Sequence, residues 1–220
     1  MYQAWDHRIN QQIRFIHPIK TAGTSIGDWM QSTYAHVIEW THQAWDDVPK
    51  PETQMPTFAF TVFRNPWDRI ESLYLEFGRI IKMEDHYGLP IDDGPPVPAD
   101  MLFTLEEWNK GFEYFVDMIA DEEGRKKIEI DMPEGVIVKG WRSQLAYWPT
   151  DHPLHVLSFR DLHTDWKSMW KKFDIDVEDL SHAKQHPRSH SESLHTARTR
   201  SLVEQIWKDD VSYFASSCRD

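Results

Sequence analysis

Apolar residues fall into two kinds of pattern along the chain. Arg14-Phe15-Ile16-His17 is a short β-prone run, and Thr57-Phe58-Ala59-Phe60-Thr61-Val62-Phe63 is a near-continuous run of β-branched and aromatic residues. The second pattern belongs to a strand covered on both faces, as in a parallel sheet, and predicts a central strand. Residues 36–40, 136–139 and 155–159 read as further short strands. Helical spacing follows the first two runs. Ile26, Trp29 and Met30 come after the segment Lys20 to Ser25. Trp67, Ile70, Leu73, Tyr74, Phe77, Ile80 and Ile81 form a stripe about four turns long behind Asn65-Pro66, with Pro at the first helical position, where its missing N–H costs nothing. Residues 104–123 read as helical and acidic, and Ser201 to Phe214 as a closing helix. Residues 86–100 hold four Pro and two Gly without periodicity, so a mobile loop is expected there.

Strands alternating with helices predict an α/β domain with a mainly parallel central sheet flanked by helices, and such sheets bind ligands beyond the C-terminal ends of their strands. A length of 220 residues with 40% apolar composition suits one domain spanning 1–220. The charge balance, 24 Lys plus Arg against 36 Asp plus Glu, gives −12 and disfavours nucleic acid and large polyanions as partners. Acid is concentrated between Glu84 and Glu123, where Lys110 is the one base. The single Cys218 cannot form an internal disulfide, and no stretch approaches the ~18–20 apolar residues of a membrane span. A soluble, cytoplasmic protein without a membrane partner is expected.

Lys20-Thr21-Ala22-Gly23-Thr24-Ser25, between a strand and a helix, has the composition of a phosphate cradle: backbone N–H groups and a helix N-terminus face an anion, and Gly allows close approach. The order is not that of a Walker A loop, because Lys20 precedes Gly23-Thr24-Ser25, so a P-loop kinase is disfavoured. This Lys-first order, preceded by Phe15-Ile16-His17, resembles the 5′-phosphosulfate loop of sulfotransferases that use 3′-phosphoadenosine 5′-phosphosulfate (PAPS), in particular the carbohydrate (Golgi-type, heparan sulfate 2-O-like) branch. The segment from Phe63 to Tyr74 resembles that family's 3′-phosphate segment, with Arg64 ending a strand and Ser72 eight residues later on the following helix. Weaker echoes are Ser143-Gln144-Leu145-Ala146-Tyr147, the segment from Val156 to Leu162, and a last helix carrying Asp209-Asp210 and Tyr213-Phe214. Where the family has Ile-Pro-Lys this chain has Pro18-Ile19-Lys20, which restores an N–H at residue 19 and fixes φ at residue 18.

The resemblance implies a P-loop NTPase-like fold, PAPS as donor, 3′-phosphoadenosine 5′-phosphate (PAP) as product, and no metal. It implies that Lys20 contacts the bridging oxygen of the donor, that Thr21, Ala22, Gly23, Thr24 and Ser25 hold the 5′-phosphosulfate, and that Arg64 and Ser72 hold the 3′-phosphate. The acceptor hydroxyl needs a base. His42, directly after the second strand and within Thr41-His42, resembles the family segment that supplies it; Glu39 and His17 are the alternatives. Lys139, Arg142 and Ser143 are candidates to close over the nucleotide, with an ordinary surface position as the competing reading. His182, His186, His190 and His195 invite a zinc reading, but Pro187 interrupts any helix that would align the first three and no Cys supports them. The expected function is sulfuryl transfer to a hydroxyl of a sugar or other small acceptor. The alternative is a non-catalytic PAPS- or PAP-binding module of the same fold.

Overall fold

A computed structural model describes residues 1–39, 43–48, 56–87, 103–132, 136–181 and 193–217. Contacts group the chain into two compact units, Met1–Arg64 with Gln144–Ser189, and Asn65–Ser143 with His190–Asp220.

The first unit holds a five-stranded sheet. Strands β1 (Tyr2–Asp6) and β2 (Gln11–Ile16) form an antiparallel hairpin, and β3 (Val37–Glu39) lies antiparallel to β1 on its other side. Strand β4 (Thr57–Phe63) runs parallel to β2, with Ile16 opposite Thr61. The strand order is β3-β1-β2-β4-β7, and the edge strand β7 (Leu154–Ser158, numbered in chain order) is parallel to β4, with Phe63 opposite Ser158. The sheet is therefore mixed rather than mainly parallel. The N-terminal strand inserts as a hairpin partner of β2, so two of the four pairings are antiparallel.

Side chains alternate across these strands. Ile13, Phe15, Phe60 and Val62 face helix α1 (Gly23–Thr33) and helix α6 (Leu162–Lys171), and share a core with Ile26, Met30, Trp166, Met169 and Trp170. Phe15 stacks on Phe60 with ring centroids 5.0 Å apart, and Trp29 meets Trp166 edge-on at 4.7 Å. On the opposite face Ile16 and Ala59 pack with Trp45 and Tyr147, which lie in short 3₁₀ turns at Trp45–Asp47 and Leu145–Tyr147.

The second unit is mainly helical: α2 (Pro66–Tyr87), α3 (Leu105–Asn109), α4 (Phe112–Ala120), α5 (Glu122–Lys126), α7 (Ala197–Ile206) and α8 (Lys208–Ser217). Helix α2 takes in residues 86 and 87 of the expected loop, and residues 88–100 lie outside the described residues. The acidic helix expected over 104–123 is three helices. Gly111, at φ 93°, separates α3 from α4, and Asp121 starts α5 by accepting from the Gly124 N–H at 2.9 Å. The closing helix is likewise two, broken at Trp207. The strand at 136–139 does not join the main sheet. It is β6 (Val136–Lys139), antiparallel to β5 (Glu129–Met132). Among the described residues no helix is long and apolar enough to cross a membrane.

Candidate functional site

The segment 17–25 leaves the C-terminal end of β2 and enters α1. Its path is set locally. The buried Thr21 hydroxyl donates to the Pro18 carbonyl at 2.6 Å, and Lys20 and Ala22 both take left-handed conformations, at φ 67° and 65°. Such conformations cost a residue with a Cβ of order 1–3 kcal/mol and cluster where a loop must present its backbone. Gly23 opens the helix beneath the His17 ring, and a Cβ there would overlap the imidazole. His17 is itself buried, stacked on Phe15 at 5.5 Å.

Ala22 occupies the N-cap of α1 and has no side chain to accept the first-turn N–H groups; the first intrahelical bond is Ile26 N–H to the Ala22 carbonyl at 3.2 Å. The first turn carries no acidic residue, and Thr24 and Ser25 are half-exposed. A helix start of this kind, with hydroxyls beside uncapped N–H groups and a lysine one turn upstream, is suited to an anion.

Arg64 follows β4, the neighbour of β2, and reaches this loop. Its Nη1 donates to the Lys20 carbonyl at 3.1 Å, and its guanidinium lies over the Phe159 ring, 4.4 Å from the centroid. The Arg64 main chain is held by Gln144, fully buried, whose Oε1 accepts from the Arg64 N–H at 2.9 Å and whose Nε2 donates to the Arg64 carbonyl at 2.8 Å. Nearby, the Thr61 hydroxyl donates to the Ile16 carbonyl at 2.8 Å. The sheet unit thus brings together Lys20, Thr21, Ala22, Gly23, Thr24, Ser25 and Arg64.

The remaining candidates belong to the helical unit, to packing within the sheet unit, or to residues outside those described. His42 and Thr41 lie outside the described residues, as do His182, His186 and His190. Ser72 is half-buried in the second turn of α2, in the helical unit. That helix begins after Arg64 with the Asn65 side chain accepting from the Trp67 N–H at 3.0 Å. Of the alternative bases, His17 covers Gly23, and Glu39 is hydrogen-bonded to the Tyr2 hydroxyl; burial first, and then Glu39, push that phenol up. Lys139, Arg142 and Ser143 belong to the helical unit: Lys139 lies 5.8 Å from the Trp141 ring centroid, the Arg142 carbonyl accepts from Arg69 at 2.9 Å, and the Ser143 hydroxyl donates to buried Asp210 at 2.6 Å. His195 bonds the Trp67 carbonyl through Nε2 at 3.0 Å and lies 3.3 Å from the Thr199 hydroxyl through Nδ1, which is a packing role. Among the described residues no group of three His, Cys, Asp or Glu gathers to hold a metal.

Gln144 and Phe159 are the contributors that sequence reasoning did not single out. Both sit inside motif echoes, at residues 143–147 and 156–162, but a lone Gln carries no sign of whether its amide faces solvent or backbone. No family model, curated protein or solved structure matches the chain.

Proposed function

We propose that this protein is a sulfotransferase of P-loop NTPase-like fold, moving a sulfuryl group from PAPS to a hydroxyl of a sugar or other small acceptor. The observation that carries this reading is the bond from Arg64 to the Lys20 carbonyl. It sets the arginine that ends β4 against a Lys-first loop running into an uncapped helix, so that cations and backbone donors for a doubly phosphorylated nucleotide share one end of the sheet.

The donor, when bound, supplies an activated sulfuryl group; the protein's task is to orient the partners and neutralise charge on the leaving group. Gly23, Thr24 and Ser25 offer N–H groups and hydroxyls to the 5′ end. Lys20 offers a compact cation for the oxygen that takes up charge as the S–O bond breaks. Arg64 offers a planar fork for the 3′-phosphate. The proton of the acceptor hydroxyl goes to a base, with His42 the candidate. The alternative, a non-catalytic PAP-binding module, draws on the burial of His17 against Gly23, which takes one candidate base into packing, and on the hydrogen bond that engages Glu39 with the Tyr2 hydroxyl.

Thermal unfolding with PAP, in buffer containing a metal chelator, tests the reading. PAP at a hundredfold excess over its Kd should stabilise the native state by ~2.7 kcal/mol. A melting curve unmoved by PAP but raised by Mg²⁺-ATP would refute the proposal in favour of a kinase. PAP stabilisation without sulfate transfer from labelled PAPS to any hydroxyl acceptor, or to water, would select the non-catalytic module.

A further inference from the structure

Beyond Phe63 the sheet runs out of partners for β4. Strand β2 ends at Ile16, opposite Thr61, and the last rung toward β7 is the Phe159 N–H donated to the Phe63 carbonyl at 2.9 Å. Arg64 is the next residue, and its peptide N–H and carbonyl are both taken by one side chain from 80 positions along the chain, that of Gln144. An amide side chain carries a donor and an acceptor in one plane, the same complement that a neighbouring strand presents, so Gln144 extends the sheet by one residue. Two bonds, one on each side of the Arg64 Cα, fix both backbone torsions and with them the direction of the Cα–Cβ bond.

The consequence for the guanidinium is specific. With its root fixed by Gln144, it lies across Phe159, the residue of that last rung, and donates to the Lys20 carbonyl. We infer that Gln144 is the positioning residue for recognition of the nucleotide's 3′-phosphate: it acts through Arg64, without touching the ligand, and sets the discrimination between a 3′-phosphorylated adenylate and plain adenylate. The inference rests on the proposed reading of Arg64 as the 3′-phosphate ligand.

PAP and adenosine 5′-monophosphate (AMP) differ by the 3′-phosphate alone, and the ratio of their dissociation constants, measured by calorimetry, isolates that contact. The parent should prefer PAP by about 10- to 150-fold, the range of charge-assisted hydrogen bonds. In Gln144→Met, which keeps the side-chain volume and removes both bonds, the ratio should fall toward that of Arg64→Ala, while AMP affinity stays within about threefold of the parent. The double variant should discriminate no worse than Arg64→Ala alone, because both changes act on one contact. If Gln144→Met does not fold, Gln144→Glu is measured by the same ratio; it keeps the shape and the acceptor for the Arg64 N–H but loses the donor to the carbonyl, and the ratio should again fall. A Gln144 variant that keeps the parent ratio overturns the inference alone. So does one that loses PAP and AMP affinity in equal measure, which is the mark of a merely structural role. A parent that binds PAP no better than AMP overturns the reading of Arg64 and the inference with it.

Discussion

At the C-terminal ends of β2 and β4, polar side chains bind the main chain: Thr21 the Pro18 carbonyl, Thr61 the Ile16 carbonyl, Gln144 both peptide groups of Arg64, and Arg64 the Lys20 carbonyl. On the surface of the helical unit, polar side chains bind one another. Arg198 meets Asp117 at 2.5 Å, the Thr196 hydroxyl meets Glu113 at 2.9 Å, and Lys126 meets Glu123 at 2.7 Å. The first set is largely shielded and dictates where the backbone goes. The second is exposed, and water and salt compete for each partner. A buried bond that fixes a loop defines a site, whereas an exposed ion pair decorates an element that already exists.

The largest expected effect is at the strand end. Gly23→Ala would ordinarily favour a helix, but here the added Cβ overlaps the His17 ring, so overpacking should cost ~1–3 kcal/mol in urea denaturation. Combining it with His17→Ala should recover part of that loss. A Gly23→Ala protein as stable as the parent would show that the ring does not rest on Gly23, and the contrast between the two regions would lose its main support.

A smaller effect comes from a residue of the helical unit that behaves like those at the strand ends. His195 is held against the Trp67 carbonyl, which can only accept, so Nε2 carries the hydrogen. Burial first, and Arg200 second, hold its pKa below the ordinary 6.5, against the opposing pull of the Trp67 bond, Glu71 and Asp68. The unfolded chain therefore takes up the proton first. The stabilisation is complete above pH ~6.5 and is lost as pH falls from there through the lowered native value. Urea midpoints measured between pH 7.5 and 5 should fall with acidity, and His195→Gln should flatten that slope, leaving the part due to His155, whose pKa is lowered by burial and Lys172. A slope identical in parent and variant would remove His195 from the account.

The smallest effect belongs to the exposed pair. Arg198→Ala should shift the denaturation midpoint least of the three, and the difference from the parent should vanish near 1 M salt, where screening acts within ~3 Å. A loss that survives high salt would place this pair with the shielded bonds instead.

Much of the sheet was legible because burial on both faces demands unbroken apolar runs, as in β4, and the start of α2 was legible because Asn65-Pro66 is a strong N-terminal signal. Strand β1 was not. Gln3, Trp5 and Asp6 dilute its pattern, and Asp6 is buried only because Arg8 and Tyr34 bond its carboxylate. Helix α6 was missed because its two buried Trp residues sit among Lys, Asp and Thr. The loop of the site was legible as composition, from Lys20 to Ser25. The left-handed turns at Lys20 and Ala22 were not, since neither residue type advertises positive φ.

The parallel rung between β4 and β7 has a consequence for synthesis. About ninety residues, 64–153, separate the two strands, so β4 leaves the ribosome long before its second neighbour exists. At ~5–20 residues per second that interval lasts roughly 5–20 s. Throughout it the central apolar strand can be covered by β2 on one edge alone, and the ladder of the other edge stands open. The nascent chain is then most exposed to pairing with a stranger along the same strand that ends at Arg64.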